Sequence, residues 1–424
     1  MDFQSTHDRK NAETFQEGDC SSCPTTSCTR NSKWNVSPAT KCQGMDLSIQ
    51  DQYHAISFPI YQTATFSRRR MGETTGFDYT RQSNPTRQQL ESIVANLENG
   101  SDAMAFSSGM AAISAVFDLF GQGDHFIVDE DLYGGSVRLF EQLAQRCGME
   151  FTTIDISTGD ITPYLRANTK AVYLETPTNP MMHVTDLKKL SATTKAHGLL
   201  LIVDNTFLSP YFQNPLDLGA DIVVHSGTKF LAGHHDTIGG FAVVKDAGLA
   251  EKLRTISKSV GSALAPFDCW LVIRGIRTLA VRMDRAAQNA QAIAAYLQKS
   301  PYVTRVIYPG LPDHPGHKIM QEQARGYGAM ISFEVVSAAF ARSILENVEL
   351  FYFAESLGGT ETLITYPITQ THADVPKALL EKNGINDRLL RLSVGIEGER
   401  DLIDEFERVF ALAAMKTGAE KIQK

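Results

Sequence analysis

Three short apolar stretches of this 424-residue chain end on groups able to do chemistry. LLLIVDN closes on Asp204, KAVYLE runs into TPTNP and so brings Asn179 to an edge, and ADIVVHS leads through Ser226 and Thr228 to Lys229. In an open parallel sheet, ligands sit beyond the carboxyl ends of the strands. An amide, an acid and a hydroxyl–hydroxyl–lysine set would then surround one crevice. Independently, Ser107-Ser108-Gly109-Met110 opens a helical stretch whose free backbone N–H groups and positive dipole end make a phosphate cradle. Taken singly, each feature reads as a surface lysine, a cap or tight packing. Taken together, they point to pyridoxal 5′-phosphate (PLP). That cofactor needs a lysine for its Schiff base, an acid for its ring nitrogen and donors for its phosphate.

These groups can meet only if the stretches that carry them are neighbouring strands. HFIVDE, MEFTTID, KAVYLE, LLLIVDN, ADIVVHS and GGFAVVK are rich in Val, Ile and Phe, with segments such as VTDLKKLSATTKAHG between them. That alternation predicts βαβ units and an α/β fold with a parallel sheet covered on both faces. SGMAAISAVFDLF reads as a buried helix. QQLESIVANLE reads as another, with Thr86 and Gln89 at capping-box spacing and Pro85 stopping the helix from extending upstream. After about residue 283, RAAQNAQAIAAYLQK is helical, VTRVIYPG, YGAMISFEVV and LLRLSVGIE are strands, and AAFARSILENV and RDLIDEFERVFALAAMK are helices. The expected domains are a cofactor-binding unit over 84–282 and a smaller α+β unit over 283–424. An arm over 46–83 and a Ser/Thr-rich extension over 1–45 precede them.

Composition narrows the partners. Forty basic against 48 acidic residues give a formal net charge of −8, which argues against nucleic acid as a main partner. No apolar run approaches the roughly 18 residues that would span a bilayer, so no membrane partner is expected. Nothing at the N-terminus reads as a secretory signal, and the cytoplasm is the expected compartment. Twelve of the first 45 residues are Ser or Thr, and this segment is read as flexible. It holds Cys20, Cys23, Cys28 and Cys42. Cys20 and Cys23 form a C-x-x-C pair, but no second ligand pair follows at zinc-site spacing, so these are read as incidental solvated thiols. Cys147 and Cys269 are read as reduced core residues.

The strings around these residues are more specific than their spacing. HSGTKFLAGHHD, YTRQSNPT, SSGMAA, YGGSVRLF, ETPTNP, IVDNTF, ESLGGTET and RLSVG together resemble the PLP enzymes of cysteine and methionine metabolism. That family includes cystathionine β-lyase, cystathionine γ-synthase, cystathionine γ-lyase and methionine γ-lyase. The resemblance runs from about residue 46 to 420. It implies an aspartate-aminotransferase-like (fold type I) large domain with a mostly parallel seven-stranded sheet, plus a smaller C-terminal α+β domain. It also implies roles. Lys229 would carry the cofactor and move the Cα proton, and Asp204 would pair with the ring nitrogen. Ser226, Thr228 and the backbone N–H groups of Gly109 and Met110 would hold the phosphate. Tyr133 would stack on the ring and help transfer protons. Tyr79 and Arg81 would reach the phosphate from a neighbouring subunit. Arg391 would take the substrate α-carboxylate by a bidentate pair, with Asn179 and Ser356 completing that pocket. Two chains would thus build each site, in a homotetramer made as a dimer of such dimers.

Within the family, ETLITYPITQTHADVP most resembles cystathionine β-lyases. The expected reaction is α,β-elimination of an amino-acid thioether, L-cystathionine, to homocysteine, pyruvate and ammonia; γ-synthase or γ-lyase chemistry is the alternative. Methionine γ-lyases are less similar, since they carry a cysteine where YGGSVRLF has Gly135. For the distal end of cystathionine, Asp78 is expected to meet the ammonium and Arg138 the carboxylate, with Glu355 as a further acid. The plainer reading of each is a solvated charge. His235 stands where relatives commonly have Ser, and is expected to alter the loop after the lysine. The pairs His234/His235 and His314/His317 lack a placed third ligand, so no metal is expected. His197 and His372 read as packing or hydrogen-bonding residues, and Arg68–Arg70 as a solvated or inter-subunit face. A cofactor-free Schiff-base aldolase and a silent scaffold are the competing classes. The scaffold has no need of Lys229, Asp204, Tyr133 and Arg391 together.

Overall fold

The computed structural model describes residues 36–44, 51, 53, 55–157, 160–373 and 375–422. Seven strands form the larger sheet: β1 (Asp102–Phe106), β2 (His125–Asp129), β3 (Glu150–Ile154), β4 (Thr169–Glu175), β5 (Leu200–Asp204), β6 (Ile222–Ser226) and β7 (Gly240–Val244). Their order is β1-β7-β6-β5-β4-β2-β3. Every neighbouring pair is parallel except the two made by β7, which runs antiparallel to both β6 and β1. β2 and β7 are buried throughout, which is why such strands read as unbroken apolar runs. All six expected strands are present. β1 (DAMAF) is an addition, since two alanines and a methionine give it little β-branched signal.

Four helices matter for the site: α1 (Pro38–Lys41), α2 (Pro85–Leu97), α3 (Gly109–Phe117) and α4 (Gly134–Cys147). α2 starts differently from the expected capping box. Asn84 is its cap, accepting from the Thr86 N–H at 3.0 Å, and Pro85 is its first residue. Thr86 instead clips the arm: its hydroxyl donates to the Pro59 carbonyl and accepts from the Tyr61 N–H, both at 2.9 Å. The arm over 55–83 is mostly exposed, with Ile56 and Met71 wholly in the open.

Two cysteines differ from expectation. α1 forms inside the segment read as a flexible extension, and Cys42 just after it is fully buried, so this part of the extension is packed structure. Cys147, read as core, is exposed because it ends the solvent-facing α4, whereas Cys269 is buried as expected. Cys20, Cys23 and Cys28 lie outside the described residues.

The smaller sheet consists of β8 (Val303–Ile307), β9 (Met330–Val335), β10 (Tyr352–Phe353), β11 (Leu363–Thr365) and β12 (Leu389–Ser393), in the order β10-β11-β12-β9-β8. β10 and β11 are two and three residues long, too short for periodicity to reveal. Helices Ala338–Asn347 and Glu399–Thr417 match the expected ones. The expected boundary at 282/283 falls inside helix Leu279–Lys299, one rod of 21 residues. Among the described residues, no helix is long and apolar enough to cross a membrane.

Candidate active site

The carboxyl ends of β4, β5 and β6 open onto a cavity of about 270 Å³, closed on the far side by residues 355–357 and by Arg391 of β12. Lys229 enters it from the turn after β6. That turn is held from below by Arg282, which donates to the Phe230 carbonyl at 2.9 Å and to the Gly275 carbonyl at 2.8 Å. From above, Gly358 presses so closely that a Cβ there would lie 2.6 Å from the Phe230 nitrogen. The Lys229 Nζ donates to the Ser356 Oγ at 2.8 Å. Burial, helped by the nearby Arg391 cation and opposed by Glu355, brings the lysine down to about 8. An amine in that range gives up its proton near neutrality. Ser356 itself is strained, with φ +95° in a non-glycine residue.

Two acids face the same space. Glu175 and Asp204 end adjacent parallel strands in register. Burial raises both, and the Asp204 charge raises Glu175 further. Asp204 has the better compensation. Its Oδ1 accepts from the Thr206 N–H at 2.9 Å, the Thr206 hydroxyl donates to it, and His225 lies nearby. Glu175 has only the Tyr133 N–H at 3.0 Å and is pushed further up. The negative charge therefore settles on Asp204. His225 is fixed in turn by the buried Glu98, 2.7 Å away. Glu98 also takes Asn205 at 2.8 Å and Asn214 at 3.3 Å.

The cradle expected for a phosphate lies at the start of α3. Ser108 caps the helix by accepting from the Ala111 N–H at 3.1 Å. A Cβ on Gly109 would sit 2.9 Å from the Ser226 Cβ, so only glycine lets the start of α3 approach the end of β6 this closely. Gly109, Met110, Ser226 and Thr228 all line the cavity. Lysine, acid and anion cradle face one another, and this donor set fits PLP.

Arg391 is the largest fully buried side chain of the molecule's described part. It donates to the Asn179 Oδ1 at 2.8 Å, the Ser356 carbonyl at 3.0 Å and the Thr365 hydroxyl at 3.2 Å. Its Nε–H is buried without a partner. Burial lowers it only to about 10, so it stays cationic. An unpaired donor on a buried cation is an opening for a carboxylate. His372 supports the pocket from behind, with its Nε2 3.1 Å from the Asn179 carbonyl; burial brings it down to about 4 and keeps it neutral.

Ten expected residues come together here: Gly109, Met110, Tyr133, Asn179, Asp204, Ser226, Thr228, Lys229, Ser356 and Arg391, with Glu355 at the rim. Four do not. Asp78, Tyr79, Arg81 and Arg138 are absent from the lining. Asp78 is held by Arg68 through two hydrogen bonds of 3.0 and 2.7 Å, and that partner keeps its carboxyl below the usual range. Arg81 bonds the Lys258 carbonyl and lies over the Tyr79 ring, 5.6 Å from its centroid. Arg138 is exposed on α4. The sequence reading missed Glu175, Thr206, Phe207 and Thr371, of which Glu175 carried a usable signal as an acid closing an apolar strand. His235 has φ +55° and its Nε2 lies 3.7 Å from Glu361. Among the described residues, no group of three or more His, Cys, Asp or Glu is placed to hold a metal.

Comparison with known proteins agrees with this geometry. A cystathionine γ-lyase of Bacillus subtilis is 47% identical over 352 residues, covering 83% of this chain and 93% of that protein. A cystathionine β-lyase of Lactococcus lactis subsp. cremoris is 46% identical over 354 residues, with the same coverage of 83% and 93%. The crystal structure of cystathionine γ-lyase from Lactobacillus plantarum complexed with L-serine superposes with a TM-score of 0.86 at 44% identity, over 89% of this chain and 99% of that one. The family described as Cys/Met metabolism PLP-dependent enzyme matches residues 40–411, and this chain belongs to it.

Proposed function

We propose that this PLP-dependent enzyme is a carbon–sulfur lyase that eliminates across Cα and Cβ of L-cystathionine, giving homocysteine, pyruvate and ammonia. One observation carries the reading: an amine brought down to about 8 stands 2.8 Å from Ser356, whose carbonyl orients Arg391. An amino acid gripped by its carboxylate at Arg391 presents its Cα to that amine. Bound PLP supplies an aldehyde for the substrate amine and a ring that accepts the electron pair left at Cα. Lys229 takes the Cα proton, and Ser356 steadies the amine between transfers. Asp204 would meet the ring nitrogen with its negative charge, while Ser226, Thr228 and the amides of Gly109 and Met110 would hold the phosphate. Tyr133, which lines the cavity, would cover the ring and relay protons.

Asn179 and Ser356 orient Arg391. Tyr79 and Arg81 serve the phosphate of a neighbouring chain, which accords with their position outside this chain's own cavity, in a homotetramer built as a dimer of dimers. For the distal ammonium we assign Glu355 at the rim, because Asp78 is already taken by Arg68. The enzyme is placed in the cytoplasm, where the buried Cys42 and Cys269 stay reduced. Elimination or replacement at Cγ is the second reading, since relatives of nearly equal identity carry both the β-lyase and the γ-lyase name. The test is to incubate the PLP-loaded enzyme with L-cystathionine and identify the products. Pyruvate with homocysteine supports the proposal; 2-oxobutyrate with cysteine moves the reaction to Cγ.

A further inference from the structure

The Arg391 Nε–H is buried without a partner, and a histidine that does not line the cavity governs where it points. Nη1 is taken by the Asn179 Oδ1, and Nη2 by the Ser356 carbonyl and the Thr365 hydroxyl. Thr365 ends β11, and the turn that follows carries His372, which is 2% exposed. That turn is braced. The His372 N–H donates to the Pro367 carbonyl at 3.0 Å, and the Thr371 carbonyl packs so closely on α4 that a Cβ on Gly134 would lie 2.6 Å from it. The connection thus clasps the guanidinium twice, directly through Thr365 and, from His372, by way of Asn179.

Both ring nitrogens of His372 have partners, and the partners fix the tautomer. Nε2 lies 3.1 Å from the Asn179 carbonyl, which can only accept, so Nε2 carries the ring hydrogen. Burial, with the Arg391 cation, outweighs the Asn179 and Leu132 carbonyls and brings His372 down to about 4, so the ring holds no second hydrogen near neutrality. Nδ1 is then an acceptor, and the Thr371 hydroxyl 2.8 Å away donates to it. This pins the backbone of Asn179 while its side chain holds Arg391. We propose that His372 is a positioning residue of the substrate-carboxylate pocket: Thr371 selects its Nε2–H form, that form fixes Asn179, and Asn179 sets the direction of the Arg391 Nε–H. The relay rests on the carboxylate role proposed for Arg391 above. A packing residue would fill the same space and need neither hydrogen bond.

The probe is β-(methylthio)propionate, a thioether acid with no amine to react with the cofactor. Calorimetry of the PLP-loaded enzyme should show one site per chain, and Arg391→Lys should weaken it at least about tenfold. If that variant binds like the parent, the carboxylate role fails and the relay falls with it. Once that loss is seen, the His372 variants test the relay alone. His372→Asn is too short to reach the Asn179 carbonyl and should weaken binding about tenfold. His372→Gln places its amide nitrogen where Nε2 was and should return affinity to within about threefold of the parent. With L-cystathionine, His372→Asn should raise KM about tenfold, with kcat within about twofold and PLP affinity unmoved. Thr371→Val, which removes the donor to Nδ1, should weaken the probe at least about threefold, and Thr371→Ser should restore most of it. That pair decides the matter if His372→Asn does not fold. Parent-like binding by His372→Asn, equal losses in the Asn and Gln variants, or a PLP affinity that falls in step with KM would each overturn the relay.

Discussion

Glu175 and Asp204 face the same cavity from in-register positions on neighbouring strands, and only one of them holds a charge comfortably. Thr206 and His225 favour Asp204, and burial with that adjacent carboxylate keeps the proton on Glu175.

A stability signature follows. Glu175 is raised in the folded state above its ordinary 4.5, so its contribution is fully present below that value and is lost as pH rises through the higher folded value. In the cofactor-free protein, Glu175→Gln should therefore gain on the parent as pH rises from about 4.5 toward 8, by at least about 1 kcal/mol. Urea unfolding at several pH values measures this, and a constant difference between the two proteins would contradict the assignment.

Lys229→Ala should keep the fold and lose turnover by at least about a thousandfold, since the amine beside Ser356 is removed. Far-UV circular dichroism checks the first half and product formation the second. Undiminished activity would end the proposed mechanism.

Arg391→Lys keeps the charge but loses the planar fork that Asn179 and Ser356 hold. KM should rise about 10- to 100-fold, the worth of one to two charge-assisted hydrogen bonds, while the affinity for PLP stays as it was. A PLP affinity that falls in step with KM would mean that the arginine shapes the cofactor site instead.

If Arg81 acts on a neighbour's phosphate, two defects can complement each other. Arg81→Ala and Lys229→Ala proteins, each nearly inactive, should recover about a quarter of the parent activity after subunit exchange at equal concentrations, because one site in each mixed dimer is intact. Size-exclusion chromatography of the mixture and a product assay decide it; no recovery despite exchange would place Arg81 in its own chain's chemistry.

Much of this site was legible in the chain before folding, and the reason is physical. A strand buried on both faces tolerates polar groups only at its ends, so Asp204, Ser226 and Lys229 stood out against apolar runs. Glu175 had the same signature but lay beside TPTNP, which drew attention to Asn179. β1 escaped because an alanine-rich pentapeptide reaches burial through its neighbours rather than through propensity. The Thr86 capping box failed for a related reason: Asn84, two residues earlier, could cap the helix and free Thr86 to hold the arm. Cys147 was misplaced because a thiol's burial depends on which helical face it occupies.

The antiparallel strand β7 also sets the order in which a growing chain can become competent. β1 carries Ser107 and the cap of the phosphate cradle at its end, yet its ladder partner is β7, more than a hundred residues downstream. The cradle cannot close until β7 has left the ribosome. Arg391, assigned to the substrate carboxylate, comes far later, in β12. In chain order, the groups assigned to the cofactor thus all precede the arginine assigned to the amino acid.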